Sequence, residues 1–291
     1  MNQKITLGFS PCPNDTFMFC ALVNRLIDCE DLFFEPVIED VETLNQKALR
    51  GDLDVTKLSL GVYAQVSANY LILNSGSALG KNCGPLLISK KDFSPLSFGE
   101  SLSRFIGRSG VRSLKIAIPG KYTTANLLLS IFFPEAINKT EMVFSEIENV
   151  VLNETVDAGL IIHENRFTYQ QKGLKKILDM GELWEEKTKT PLPLGCIAVN
   201  RNIDSTLQNK IDSLIYKSIL FAFENPEEVM DYVRVHSQEM NDKVMQQHIE
   251  LYVNEFSLTL GTEGKKAIEL LLKKGNEAGL LPGIPNQIFV S

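Results

Sequence analysis

Histidine is scarce in this 291-residue chain, with only His163, His236 and His248 present. Imidazole chemistry is therefore confined to three positions, and a histidine-rich metal centre is excluded. Five cysteines stand at positions 12, 20, 29, 83 and 196, an odd number without a Cys-x-x-Cys pair. Neither a disulfide framework nor a structural zinc site is suggested. There is no His-Glu-x-x-His and no EF-hand loop, so no metal is expected. The absence of Gly-x-Gly-x-x-Gly gives no pointer to a dinucleotide cofactor. Basic tracts are missing too: 29 Lys+Arg face 36 Asp+Glu, for a net charge of −7. Non-specific binding to nucleic acid or to an anionic membrane needs clustered cations, so neither partner is expected. No segment approaches the roughly 18 apolar residues of a membrane span. The N-terminal run Ile5–Phe9 is shorter than the apolar stretch of about 7–15 residues in a secretory signal. The sequence predicts a soluble, cytoplasmic protein with reduced thiols.

What is present is ample apolar material, 44% hydrophobic against 22% charged residues. At about 150 residues per domain, the length suggests two domains, with one large domain as the alternative. Strands are predicted at Ile5–Phe9, Leu32–Ile38, Leu53–Leu58, Tyr70–Leu73 and Pro85–Ile88. Helices are predicted at Phe17–Ile27, with Asn14 as cap, at Val41–Arg50 between Asp40 and Gly51, and from a Ser59 cap through Ala68. A polar, loop-like insert occupies about 92–112. Alternation then resumes with strands at Leu114–Ile118, Met142–Phe144, Ala158–Ile162, Leu174–Leu178 and Gly195–Val199. Helices at Thr123–Phe133 and Ile147–Asn153 lie among them. From Asp204 onward the pattern is helical. Such alternation argues an α/β fold with mainly parallel sheets, one before residue 89 and one from 114 to about 196.

Polar residues that can carry chemistry gather at strand ends. His163 follows Gly159-Leu160-Ile161-Ile162, and ligand crevices of open α/β sheets lie at the carboxyl ends of strands. Its imidazole suits general-base work near neutral pH. The same placement also allows a histidine that caps the next helix or faces solvent. His236 and His248 have plainer settings, a helix end and a helical tail. Pro119–Asn126 joins a strand to a helix without P-loop spacing; Thr123 and Thr124 can hold an anion there, or Thr123 can simply cap the helix. Ser10-Pro11-Cys12-Pro13-Asn14-Asp15-Thr16 is another such turn. Its Cys12 reads either as a nucleophile paired with His163 or as a small thiol packed in a proline-fixed turn, the second being favoured. Lys57-Leu58-Ser59 forms a third turn, where a snorkelling lysine beside a serine cap is the plain alternative.

The stretch Gly8–Phe17 resembles the opening of the 1,4-dihydroxy-6-naphthoate synthase family of the futalosine route to menaquinone. Glu39–Asn45, Thr56–Ser59, Ala158–Glu164, Leu192–Gly195 and Tyr252–Leu258 resemble the same family in the same order, so the likeness spans nearly the whole chain. It implies a fold of the type II periplasmic-binding-protein kind: two α/β lobes joined by two hinge strands, a cleft, and a helical C-terminal part. Residues 1–88 with 197–291 would form the large lobe and 89–196 the small one. The resemblance also implies a cofactor-independent lyase that converts cyclic dehypoxanthinyl futalosine, a small-molecule carboxylate, to 1,4-dihydroxy-6-naphthoate and dihydroxyacetone. His163 matches the family's proton acceptor. Lys57, Leu58, Ser59, Thr123 and Thr124 match its substrate-binding segments, and Ser10, Asn14, Asp15 and Thr16 would line the site. A solute-binding protein of the same fold, the sibling chorismate dehydratase and a Cys12–His163 hydrolase are the alternatives.

Overall fold

A computed structural model describes residues 3–91, 114–237 and 241–291; the polar insert at about 92–112 lies outside the described residues. The chain divides into two units, Met1–Gly80 with Pro193–Ser291, and Lys81–Leu192. The boundaries expected from the resemblance, after Ile88 and after Cys196, fall a few residues later along the chain than these.

In the first unit, β1 (Gln3–Phe9), α1 (Pro13–Val23), β2 (Leu32–Ile38), α2 (Val41–Arg50), β3 (Val55–Ser59), α3 (Leu60–Val66), β4 (Tyr70–Ile72) and β5 (Ala78–Gly80) follow one another. β1 lies between β2 and β3, parallel to both. Parallel neighbours joined through helices end at the same edge of the sheet, so Ser10 and Ser59 leave it side by side. α1 begins at Pro13, with Cys12 as N-cap, because proline's fixed φ and missing N–H suit the first helical position. Asn14, expected as the cap, is instead inside the helix. Every residue of α1 from Pro13 to Leu22 is buried, as in a helix surrounded by core. Around it pack Phe9, Ile215, Ile219 and Val229, among others.

The second unit holds β6 (Leu86–Ser89), β7 (Ile116–Ile118), α4 (Thr124–Phe132), β8 (Lys139–Glu141), α5 (Ile147–Leu152), β9 (Ala158–Ile161), α6 (Asn165–Thr168), β10 (Lys175–Asp179) and α7 (Met180–Thr188). Its sheet runs β10-β6-β9-β7-β8. Gly159 lets α5 lie directly on β9, since a Cβ there would sit 2.5 Å from Ile147 Cγ2. The expected strand Met142–Phe144 is displaced to the polar edge strand β8, and Phe144 begins a 3₁₀ turn. α7, capped by Asp179, was not expected.

The chain re-enters the first unit through β11 (Leu192–Asn200), followed by helices α8 (Ser205–Glu224), α9 (Pro226–His236), α10 (Asp242–Tyr252), α11 (Glu255–Leu258) and α12 (Gly261–Glu277). β11 is antiparallel to both β3 and β4. β6 is likewise antiparallel to β9 and β10. Both sheets are therefore mixed, where mainly parallel ones were expected. The two reversing strands are those that follow a passage from one unit to the other, so neither arrives through a strand–helix–strand crossover that would impose the parallel direction.

Candidate active site

In the first unit the strand-end turn and β3 build a buried polar cluster. β1 and β3 are in register at Gly8 and Thr56, which sets Ser10 level with Leu58 and beside Lys57. Asp15 is fully buried on the first turn of α1. Its carboxylate accepts from Ser10 N at 2.9 Å and from Ser10 Oγ at 2.5 Å. It also accepts from Asn14 Nδ2 at 2.8 Å. Lys57 Nζ stands 2.6 Å from each of its oxygens. The ammonium is no snorkelling surface charge: it is 7% exposed and ion-paired. Leaving either partner alone in such a site is costly, which is why buried charges occur in pairs. Thr16 turns its hydroxyl back onto the carbonyls of Cys12 and Pro13.

The pleat of β3 places Lys57 and Ser59 on one face and Leu58 on the other. Ser59 makes no side-chain cap bond to α3. Its N–H donates to Asn45 Oδ1 at 3.0 Å, and its hydroxyl accepts from Asn45 Nδ2 at 3.2 Å. Asn45 was not singled out in the sequence, and His248, given only a plain setting in the helical tail, is buried with its Nε2 3.0 Å from Asn14 Oδ1.

In the second unit, β7 and β9 are parallel neighbours, paired at Ile116–Ala158 and Ala117–Gly159. The segments that follow them, with Thr123 and His163, leave the same edge of the sheet. Thr123 is the N-cap of α4: it accepts from Asn126 N at 3.3 Å and donates to Gly120 O at 2.8 Å. Thr124 is buried beside it. His163 is half-buried and takes a left-handed backbone, φ 59°. A non-glycine residue in that region is uncommon and concentrates at functional sites. The ring of Phe144 meets the imidazole edge-on, with centroids 4.9 Å apart. Asn165 anchors the following turn by donating to the buried Glu148 at 2.8 Å. Arg166 is spoken for by Asp179 at 2.6 Å and by Gly84 O at 2.5 Å. Burial pushes the thiols of Cys20, Cys29 and Cys196 up and that of Cys83 up to about 12, away from nucleophilic use.

The first unit thus holds a buried lysine–carboxylate pair, and the second a histidine with left-handed backbone just beyond β9. Residues 5–277 match the protein family described as menaquinone biosynthesis. The chain belongs to that family. Within it, a protein of Thermus thermophilus named 1,4-dihydroxy-6-naphtoate synthase is 42% identical, the match covering 99% of this chain and 100% of that one. One of the same name from Streptomyces coelicolor is 36% identical, over 97% of this chain and 96% of that one. A crystal structure of a protein from Archaeoglobus fulgidus superposes with a TM-score of 0.86 at 35% identity, covering 96% of this chain and 98% of that one. The periplasmic aliphatic sulphonate binding protein of Escherichia coli shares the fold, with a TM-score of 0.64 at 11% identity, over 100% and 94% of the two chains. This family member thus has a periplasmic-binding-protein-like fold. Among the described residues, none of its helices is long and apolar enough to cross a membrane.

Proposed function

We propose that this chain is a carbon–carbon lyase of menaquinone biosynthesis that converts cyclic dehypoxanthinyl futalosine to 1,4-dihydroxy-6-naphthoate and dihydroxyacetone. The observation that carries the reading is the 42% identity, over 99% of the chain, to a protein bearing the name 1,4-dihydroxy-6-naphtoate synthase. His163 acts as the general base. Removing a proton from the substrate starts a ring opening followed by carbon–carbon fragmentation, and the proton is returned to the departing dihydroxyacetone, so that the substrate's atoms are shared between the two products and the base is restored. Aromatisation drives the step, and no cofactor is called for.

Lys57, Ser59, Thr123 and Thr124 hold the substrate's carboxylate and hydroxyls. Leu58 belongs to the same segment through its strand backbone, its side chain being turned to the other face of β3. Ser10, Asn14, Asp15 and Thr16 line the site, with Asp15 setting the position of Lys57. A cytoplasmic place of action fits five buried cysteine thiols, a state that a reducing compartment preserves. The substrate is a small carboxylate, and nucleic acid has no part in the reading. The test is to incubate the pure protein with cyclic dehypoxanthinyl futalosine. Growth of a naphthoate chromophore with equimolar dihydroxyacetone is expected; recovery of unchanged substrate would refute the proposal.

A further inference from the structure

Helix α10 delivers His248 to Asn14 of the lysine–carboxylate cluster, 234 positions away along the chain. Buried His248 packs its ring against Tyr252, centroids 4.7 Å apart, and points Nε2 at Asn14 Oδ1 at 3.0 Å. The direction of that bond follows from the rest of the chain of contacts. Asn14 Nδ2 donates to Asp15 Oδ1 at 2.8 Å, and an ionised carboxylate only accepts. The amide oxygen of Asn14 therefore faces the imidazole, and His248 donates from Nε2. Asp15 in turn receives bonds from Asn14, from Ser10 N and Oγ, and from Lys57 on both oxygens. Its roughly four lone-pair sites are fully used.

We infer that His248 is a positioning residue for Lys57, acting through Asn14 and Asp15. The imidazole N–H locks the Asn14 amide, the amide holds one carboxylate oxygen, and the carboxylate so held grips the ammonium with both oxygens. Without the imidazole, the buried Asn14 oxygen loses its donor, the amide rotates, and Asp15 no longer presents Lys57 in one place. The consequence for turnover rests on the reading above that Lys57 contacts substrate.

Two variants and two readouts test this. His248→Leu keeps the bulk and removes the N–H; His248→Gln keeps an N–H that can reach Asn14. With acetyl N-hydroxysuccinimide as probe and no substrate present, labelling of Lys57 followed by mass spectrometry should be slow in the parent protein. It should rise severalfold in His248→Leu and return close to the parent rate in His248→Gln. With substrate, kcat/KM should fall about tenfold in His248→Leu, equivalent to ~1.4 kcal/mol. It should stay within about threefold in His248→Gln, and fall no further when His248→Leu is added to Lys57→Met. Unchanged Lys57 labelling in folded His248→Leu would overturn the inference, as would equal losses in the parent and Lys57→Met backgrounds. Raised labelling with unchanged kcat/KM would uphold the positioning and overturn instead the reading of Lys57 as a substrate contact.

Discussion

His163 holds a left-handed backbone conformation at the end of β9, φ 59°, with Phe144 against its ring. Asparagine tolerates that conformation better than most residues, so His163→Asn preserves the turn while removing a useful proton acceptor. Positioned general-base catalysis contributes about 10²–10⁴-fold, and kcat should drop by that factor with substrate affinity retained. Near-parent turnover by the folded variant would move the proton transfer elsewhere. Thr123 raises a different issue, because its hydroxyl already caps α4. Thr123→Val alone should cost about 1 kcal/mol of stability through the lost cap. Changing both Thr123 and Thr124 to Val should in addition weaken substrate binding about tenfold, since bonds to a charged group are worth ~1.5–3 kcal/mol. Denaturation curves report the first effect and calorimetric titration the second; normal affinity in the double variant would leave capping as the whole role.

At the scale of elements, α5 reaches β9 only because residue 159 has no side chain. A Cβ at Gly159 would come 2.5 Å from Ile147 Cγ2 and 2.8 Å from Val151 Cγ2, closer than side-chain atoms approach. Both contacts lie in the core of the second unit. Gly159→Ala should therefore push α5 away from the sheet and destabilise by about 1–3 kcal/mol, the usual cost of overpacking. β9 leads directly into His163, so a loss of activity beyond the loss of folded protein is expected as well. A variant with an unchanged denaturation midpoint would show that α5 yields freely.

Across the molecule, buried weak acids make alkali the destabilising direction. Burial raises the Cys83 thiol from 9.0 to about 12 and the Tyr232 phenol from 10.0 to about 12, and pushes Tyr63, Tyr70 and Cys196 upward too. The folded groups keep their protons above the pH at which the unfolded ones lose them. The unfolded state then binds fewer protons, and stability falls as pH rises. For Cys83 the contribution is whole below about pH 9 and is lost progressively between about 9 and 12. Each such group sets a limiting slope of about 1.4 kcal/mol per pH unit. Urea midpoints measured at pH 8 and at pH 10.5 should differ clearly, the second being lower; equal midpoints would show that these groups ionise as readily folded as unfolded.

Local chemistry was enough to read α2 from the sequence, since Asp40 caps one end and Gly51 takes φ 76° at the other, both within a few residues of the helix they bound. β2 was legible for the same reason, as a short apolar run between polar turns. The strand ends that lead to His163 and Thr123 were legible too, because each strand is an apolar run that stops abruptly, whereas Lys57, read as part of a turn, lies within β3. The family followed from ordered motifs along the chain. The directions of β6 and β11 were not legible: periodicity marks a strand but says nothing of which neighbour it meets. Nor was the pairing of Lys57 with Asp15, 42 positions apart, or the bond of His248 to Asn14, 234 positions apart. Sequence position carries no record of such partners. Burial forces each polar group to find one, and only the folded chain decides which lies within reach.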